Sequence, residues 1–99
     1  MLFRSGLREL QQASKWIAAA HHWMNQRDLT TAEAHLQAAA QRDPDRVAYG
    51  VALARLRILQ NRPAEAKQTL ADLVERGYRD KTIDALLAEA EQMLARRQR

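Results

Sequence analysis

The feature that most constrains this chain is an internal spacing of 34 residues. Ala32 returns as Ala66, Leu36 as Leu70 and Ala39 as Leu73, and Ala19-Ala20 lines up with Leu53-Ala54. A period of this length marks a supersecondary unit that cannot bury its apolar face alone and so stacks on a neighbour. Inside each copy the apolar residues recur at helical spacing. Leu7, Leu10, Ile17 and Met24 form one stripe, with Ala13, Trp16, Ala20 and Trp23 beside it. Residues with β-branched side chains are few and never alternate, so no strand is expected. Alanine, the best helix former, outnumbers the aromatics nineteen to five and lets helices approach closely.

Punctuation divides the chain into five expected helices. The first runs from about 6 to 26 with Ser5 as N-cap, and the polar run Asn25-Gln26-Arg27-Asp28 closes it. Thr30-Thr31-Ala32-Glu33 reads as a capping box, Thr30 taking the Glu33 N–H and Glu33 reaching back, which opens a helix over 31–42. Asp43-Pro44 ends it, because a residue before proline avoids the α region. A third helix over 46–60 leads to the turn Asn61-Arg62-Pro63, with Pro63 at the head of a fourth. That helix runs to Arg76, with Gly77 at its C′ position, and Asp80 caps a fifth over 81–97. Helices joined by such short turns are antiparallel neighbours, as a closed bundle or as an open stack of hairpins. The internal period selects the stack.

At these positions the chain resembles the tetratricopeptide repeat family. Residues 13–46 show Trp16, Ala19-Ala20, Trp23, Ala32, Leu36, Ala39 and Pro44 at the family's spacing. Residues 47–80 keep Leu53-Ala54, Ala66, Leu70 and Leu73, but carry Gly50 where an aliphatic or aromatic residue is usual, Arg57 for tyrosine and Tyr78 for the closing proline. The resemblance implies a single all-α domain, a right-handed superhelix of helix-turn-helix repeats. Residues 1–12 would be an N-terminal helical extension, 13–46 and 47–80 the two repeats, and 81–99 a terminal capping helix. It also implies a core of Trp16, Ala20, Trp23, Ala32, Leu36, Ala39, Ala54, Ala66, Leu70 and Leu73, small residues at the helix crossings and large ones around them.

The first helix of each repeat in the family lines a concave groove. The matching positions are Ser14, Ile17, Ala18, His21, Met24 and Asn25 in the first repeat and Ala48, Val51, Ala52, Arg55, Ile58 and Leu59 in the second. The terminal helix adds Thr82, Ala85, Leu86, Glu89, Gln92 and Met93. The expected contacts are Ile17, His21, Met24, Val51, Arg55, Ile58, Leu59 and Leu86. Half a dozen apolar side chains exposed together, at ~1.5–3 kcal/mol each, would drive the surface to be covered. The expected occupant is an amphipathic helix or extended segment of another protein, in an adaptor or chaperone-like role. The small repeat chaperones of bacterial secretion systems are similar in size and groove character. Members that clamp a C-terminal carboxylate are a poor match, because Ile17, His21, Ala52, Thr82 and Leu86 stand at the clamp positions. A second copy of the chain would also cover the groove, making it a homo-oligomerising assembly domain, and a homodimer is the alternative expectation.

Other function classes find little support. Net charge is +4, which permits nucleic acid as a partner, but Arg55 and Arg57 on one helix point apart, so no cationic groove is indicated. There is no cysteine, and His21, His22 and His35 lack a metal-ligand spacing, so neither a metal nor a cofactor is expected. No glycine-rich phosphate loop or nucleophile signature appears, and no enzyme is expected. Nor is there a signal peptide or a membrane-spanning run, which makes the cytoplasm the default compartment.

Overall fold

The computed structural model describes residues 2–97, with side chains described from residue 12 onward. Five helices follow one another: α1 (Leu2–Asn25), α2 (Leu29–Arg42), α3 (Val47–Leu59), α4 (Pro63–Glu75) and α5 (Lys81–Arg97). No strand occurs among the described residues. The fold is all-α and consistent with stacked helical hairpins. Helices α1 and α2 form the first hairpin, α3 and α4 the second, and α5 packs on α4 and α3. Helix α3 also meets α1 and α2, so it joins the two halves.

The turns explain where the helices stop. At the end of α1 the Asp28 N–H donates to the Trp23 carbonyl and the Arg27 N–H to the Met24 carbonyl, with Arg27 at φ 64°. At the end of α3 the Arg62 N–H donates to Arg57 and the Asn61 N–H to Ile58, with Asn61 at φ 63°. Both are Schellman closures with a left-handed residue at C′, and they lie 34 residues apart. The repeat is therefore written in the backbone as well as in the side chains. A third such closure ends α4, where Tyr78 N–H reaches Leu73 O and Gly77 stands at φ 96°. A proline at 78 would lack that donor, which is the physical reason Tyr78 departs from the expected proline.

The expected start signals hold for two of the helices. Pro63 heads α4, where the missing N–H is harmless, and Asp80 caps α5 by accepting from the Ile83 N–H at 2.8 Å. The capping box at Thr30 does not form. Helix α2 starts at Leu29, and Asp28 is its N-cap, accepting from the Thr31 N–H at 3.1 Å and the Thr31 hydroxyl at 2.7 Å. A three-residue turn leaves Asp28 as both the exit of α1 and the entrance of α2, so it takes the role first. Glu33 is drawn away to Arg57 instead. Ser5 also does not act as an N-cap, since α1 begins at Leu2 and runs through it. The side chains of Leu2, Phe3, Leu7 and Leu10, and residue Arg99, lie outside the described residues.

The core has two parts. Ile17, Ala20, Met24, Ala32, Leu36 and Ala39 pack with Ala52 and Leu56 of α3. Ala54, Ile58, Ala66, Leu70, Leu73, Ile83 and Ala90 form the second part. Helix α3 thus sends Ala52 and Leu56 one way and Ala54 and Ile58 the other, and needs apolar residues on two faces. Ala20, Ala32, Ala54 and Ala66 are completely buried. Trp16 and Trp23 are only partly buried and pack on the first core from its edge, so the description of them as core residues needs correction. Their faces away from α3 have no helix to cover them.

Gly50 explains itself through Leu73. A Cβ on Gly50 would lie 3.1 Å from a Leu73 methyl. One repeat back, the same two positions hold Trp16 and Ala39. Large and small have been exchanged between the partners, which preserves volume across the hairpin.

Candidate functional site

Helices α1, α3 and α5 lie side by side along one face, since α3 contacts both of the others. This is the face that the family resemblance makes the groove. It differs in character from the expected apolar surface. Ile17 is 6% exposed, Met24 0% and Ile58 7%, so these three belong to the core and are corrected from groove to interior. The reason is packing density: in so short a stack, side chains between neighbouring helices are pulled into the seams rather than left facing out. Val51, Leu59 and Leu86 are half-buried, and they pack against the two core clusters. Among the described residues the only large apolar side chain counted as exposed is Tyr78, on another part of the surface.

What this face does present is a polar cluster. Arg55 on α3 donates from Nη1 to His21 Nδ1 at 2.8 Å and from Nη2 to Asn25 Oδ1 at 2.5 Å, both across to α1. A guanidinium is only a donor, so His21 Nδ1 accepts and the ring proton sits on Nε2. Burial, and then the positive charge of Arg55, hold the His21 pKa below its ordinary 6.5. The imidazole therefore stays neutral and serves as a prop. The guanidinium is half-buried and meets no carboxylate among the described residues. Two neutral acceptors fix its direction without compensating its charge.

One turn further along α3, a groove of about 460 Å³ opens between α3 and α5. It is lined by Ile58, Leu59, Glu89, Gln92, Met93 and Arg96. Arg55 and Leu59 are four residues apart and share one helical face, so the guanidinium and the groove follow each other. The arrangement offers a fixed cation, a shallow apolar floor in Leu59 and Met93, and polar edges. It contains no nucleophile–base pair, and no group of three or more metal-ligating side chains stands together among the described residues.

A second polar feature was missed in the sequence. Arg57 donates to Glu33 Oε1 of α2 at 2.9 Å and lies 3.3 Å from Glu65 of α4. It bridges both hairpins from the position where the family usually has tyrosine. The signal was available as that departure itself, a charge set into a packing position. Arg57 keeps the Glu33 carboxyl below the ordinary carboxylate range through its hydrogen bond, against the opposing effect of burial. No helix of the described residues is long and apolar enough to cross a membrane.

Comparison with known proteins gives one match. A family model described as Tetratricopeptide repeat covers residues 24–90. No curated protein and no solved structure matches the chain.

Proposed function

The chain belongs to the tetratricopeptide repeat family, whose repeats generally mediate protein–protein interactions, and on that premise we propose that its α1–α3–α5 face captures a segment of a partner protein. The segment is amphipathic and carries a carboxylate. The carboxylate meets Arg55, and an apolar side chain enters the groove over Leu59 and Met93. Residues 13–46 and 47–80 are the two repeats in this reading, with α5 closing the stack.

The observation that carries the proposal is the state of Arg55. A half-buried guanidinium aimed by His21 and Asn25, yet without a carboxylate partner among the described residues, is prepared for an anion from outside. Its orientation is set before binding, so little side-chain freedom is lost on capture. The mixed surface favours an acidic amphipathic segment over the purely apolar helix expected from the sequence.

A displayed library of random peptides tests this. Peptides enriched on the wild-type chain should share an acidic residue beside an apolar one. They should bind Arg55→Ala and Leu59→Asp at least about tenfold more weakly, as a lost charge-assisted contact implies. Both side chains are outside the buried core, so these variants should keep their helix content. Enriched peptides that bind both variants as tightly as wild type would remove this face as the site. Ile58→Asp is no test, because Ile58 is buried and the change would unfold the second hairpin.

A further inference from the structure

We propose that the outer face of the first hairpin is a second docking surface, and that it takes an acidic amphipathic helix of a partner protein. This surface shares no residue with the α1–α3–α5 face. A cleft of about 280 Å³ opens there, lined by Gln12, Lys15, Trp16 and Ala19 of α1 and His35 of α2. Its direction follows from helix geometry. Glu33 of α2 points to Arg57 of α3. His35, two residues on, is turned by about 200° and points away from the second hairpin.

The molecule itself displays what such a face accepts. Adding 34 to the five lining residues gives Arg46, Tyr49, Gly50, Leu53 and Thr69, and all five line one cleft on the second hairpin, beside Pro44 from the end of α2. There the equivalent face is occupied. Tyr49 and Leu53 pack on the core of the first hairpin, with α2 in contact with α3. The occupant is thus a helix rich in small residues, and it brings Glu33 to a cation of the receiving helix at 2.9 Å. The first hairpin has the same face and no occupant.

Its chemistry specifies the visitor. Trp16, Ala19 and Trp23 run along one stripe of α1 at i, i+3 and i+7, the register of an apolar helix-docking track. Both tryptophans are only partly buried. The Lys15 side chain is exposed and has no carboxylate partner among the described residues. A carbonyl can only accept, so His35 Nδ1 donates to Thr31 O at 2.8 Å and Nε2 is the nitrogen left to meet a ligand. No carboxylate lines the cleft. An acidic residue on the incoming helix would face Lys15, and a bulky apolar one would lie on Trp16 and Ala19.

The test uses two synthetic helical peptides with leucine at i, i+3 and i+7, one flanked by glutamate and the other by lysine. Fluorescence anisotropy of the labelled peptides measures binding to the wild-type chain. The emission of Trp16 in the Trp23→Phe variant locates it. The glutamate peptide should bind saturably and shift Trp16 emission. Charge reversal in Lys15→Glu should weaken it by about fivefold or more, the scale of a partly exposed ion pair turned repulsive. Arg55→Ala should leave it unchanged, which separates this surface from the face proposed above. Equal binding of the two peptides, no saturable binding, or loss through Arg55→Ala with Lys15→Glu unaffected would each overturn the proposal. A Trp16 shift that grows with protein concentration alone, together with a sedimenting dimer, would overturn it in favour of a second copy.

Discussion

Replacing Arg27 with glycine should stabilise the protein, and by more than the same change at Asn61. Both residues hold the left-handed backbone of a Schellman closure, at φ 64° and 63°. That conformation costs a non-glycine residue about 1–2 kcal/mol. Glycine removes the strain but widens the unfolded ensemble, which takes back about 0.5–1 kcal/mol. Arg27 is exposed and its side chain has no hydrogen bond or ion pair among the described residues, so nothing else is lost. The net expectation for Arg27→Gly is a gain of about 0.5–1 kcal/mol. Asparagine tolerates the left-handed region better, and Asn61 Oδ1 also accepts from Arg97 at 2.7 Å. Asn61→Gly should therefore be near neutral. Urea unfolding followed by helical circular dichroism reads the difference. With a slope of about 1 kcal/mol per molar for a chain this small, the Arg27→Gly midpoint should rise by about 0.5–1 M. A lowered midpoint for Arg27→Gly, or a larger gain for Asn61→Gly, would refute the assignment of strain to these two turns.

Three further outcomes follow from particular contacts. Glu33→Ala and Arg57→Ala should each loosen the junction between hairpins, and a double-mutant cycle in urea should give a coupling of about 0.5–1.5 kcal/mol, since the pair is mostly shielded. Because Glu33 is depressed below its ordinary 4.5, its contribution is complete above that pH and is lost as pH falls through the lower folded value, a loss that Glu33→Gln should flatten. His21 is likewise lowered below 6.5, so the folded state favours the neutral ring. Stability should be complete above that value and decline as pH falls through the folded pKa, and proton NMR should place His21 below the ordinary histidine range, with a value at or above it counting against the Arg55 contact. Gly50→Trp alone should destabilise by about 1–3 kcal/mol or more through overpacking against Leu73. Combining it with Leu73→Ala should restore part of the loss, as the Trp16 and Ala39 pair implies, and simple additivity of the two changes would show that the positions do not share space.

The legible part of the candidate site was its polar half. Periodicity and family spacing put His21, Arg55 and Leu59 on one face, and the structure brings His21 and Arg55 into contact. Ile17, Met24 and Ile58 were misjudged for a common reason. Helical phase tells which side of a helix a residue occupies, but not whether a neighbouring helix closes over that side. The angular difference between a seam and an open face is a fraction of one residue step of about 100°. Arg57 shows the converse. Its partners Glu33 and Glu65 lie on two other helices, 24 residues before it and eight after, and no local pattern reports such a meeting.

The sequence by itself determined the helical class, the five helices, most of their ends and the 34-residue stacking unit. Those depend on local terms: propensity, capping, proline geometry and the period of apolar residues. Even the exchange of Trp16 and Ala39 for Gly50 and Leu73 is written in the letters, once the repeat is known. Only the tertiary structure decided which apolar side chains are sealed in the seams between helices, that Asp28 rather than Thr30 caps α2, and that Arg57 ties the hairpins together. It also decided that the face of the first hairpin stands open where its counterpart on the second is covered. These outcomes depend on the relative placement of whole helices, which is set by summed packing over distant residues.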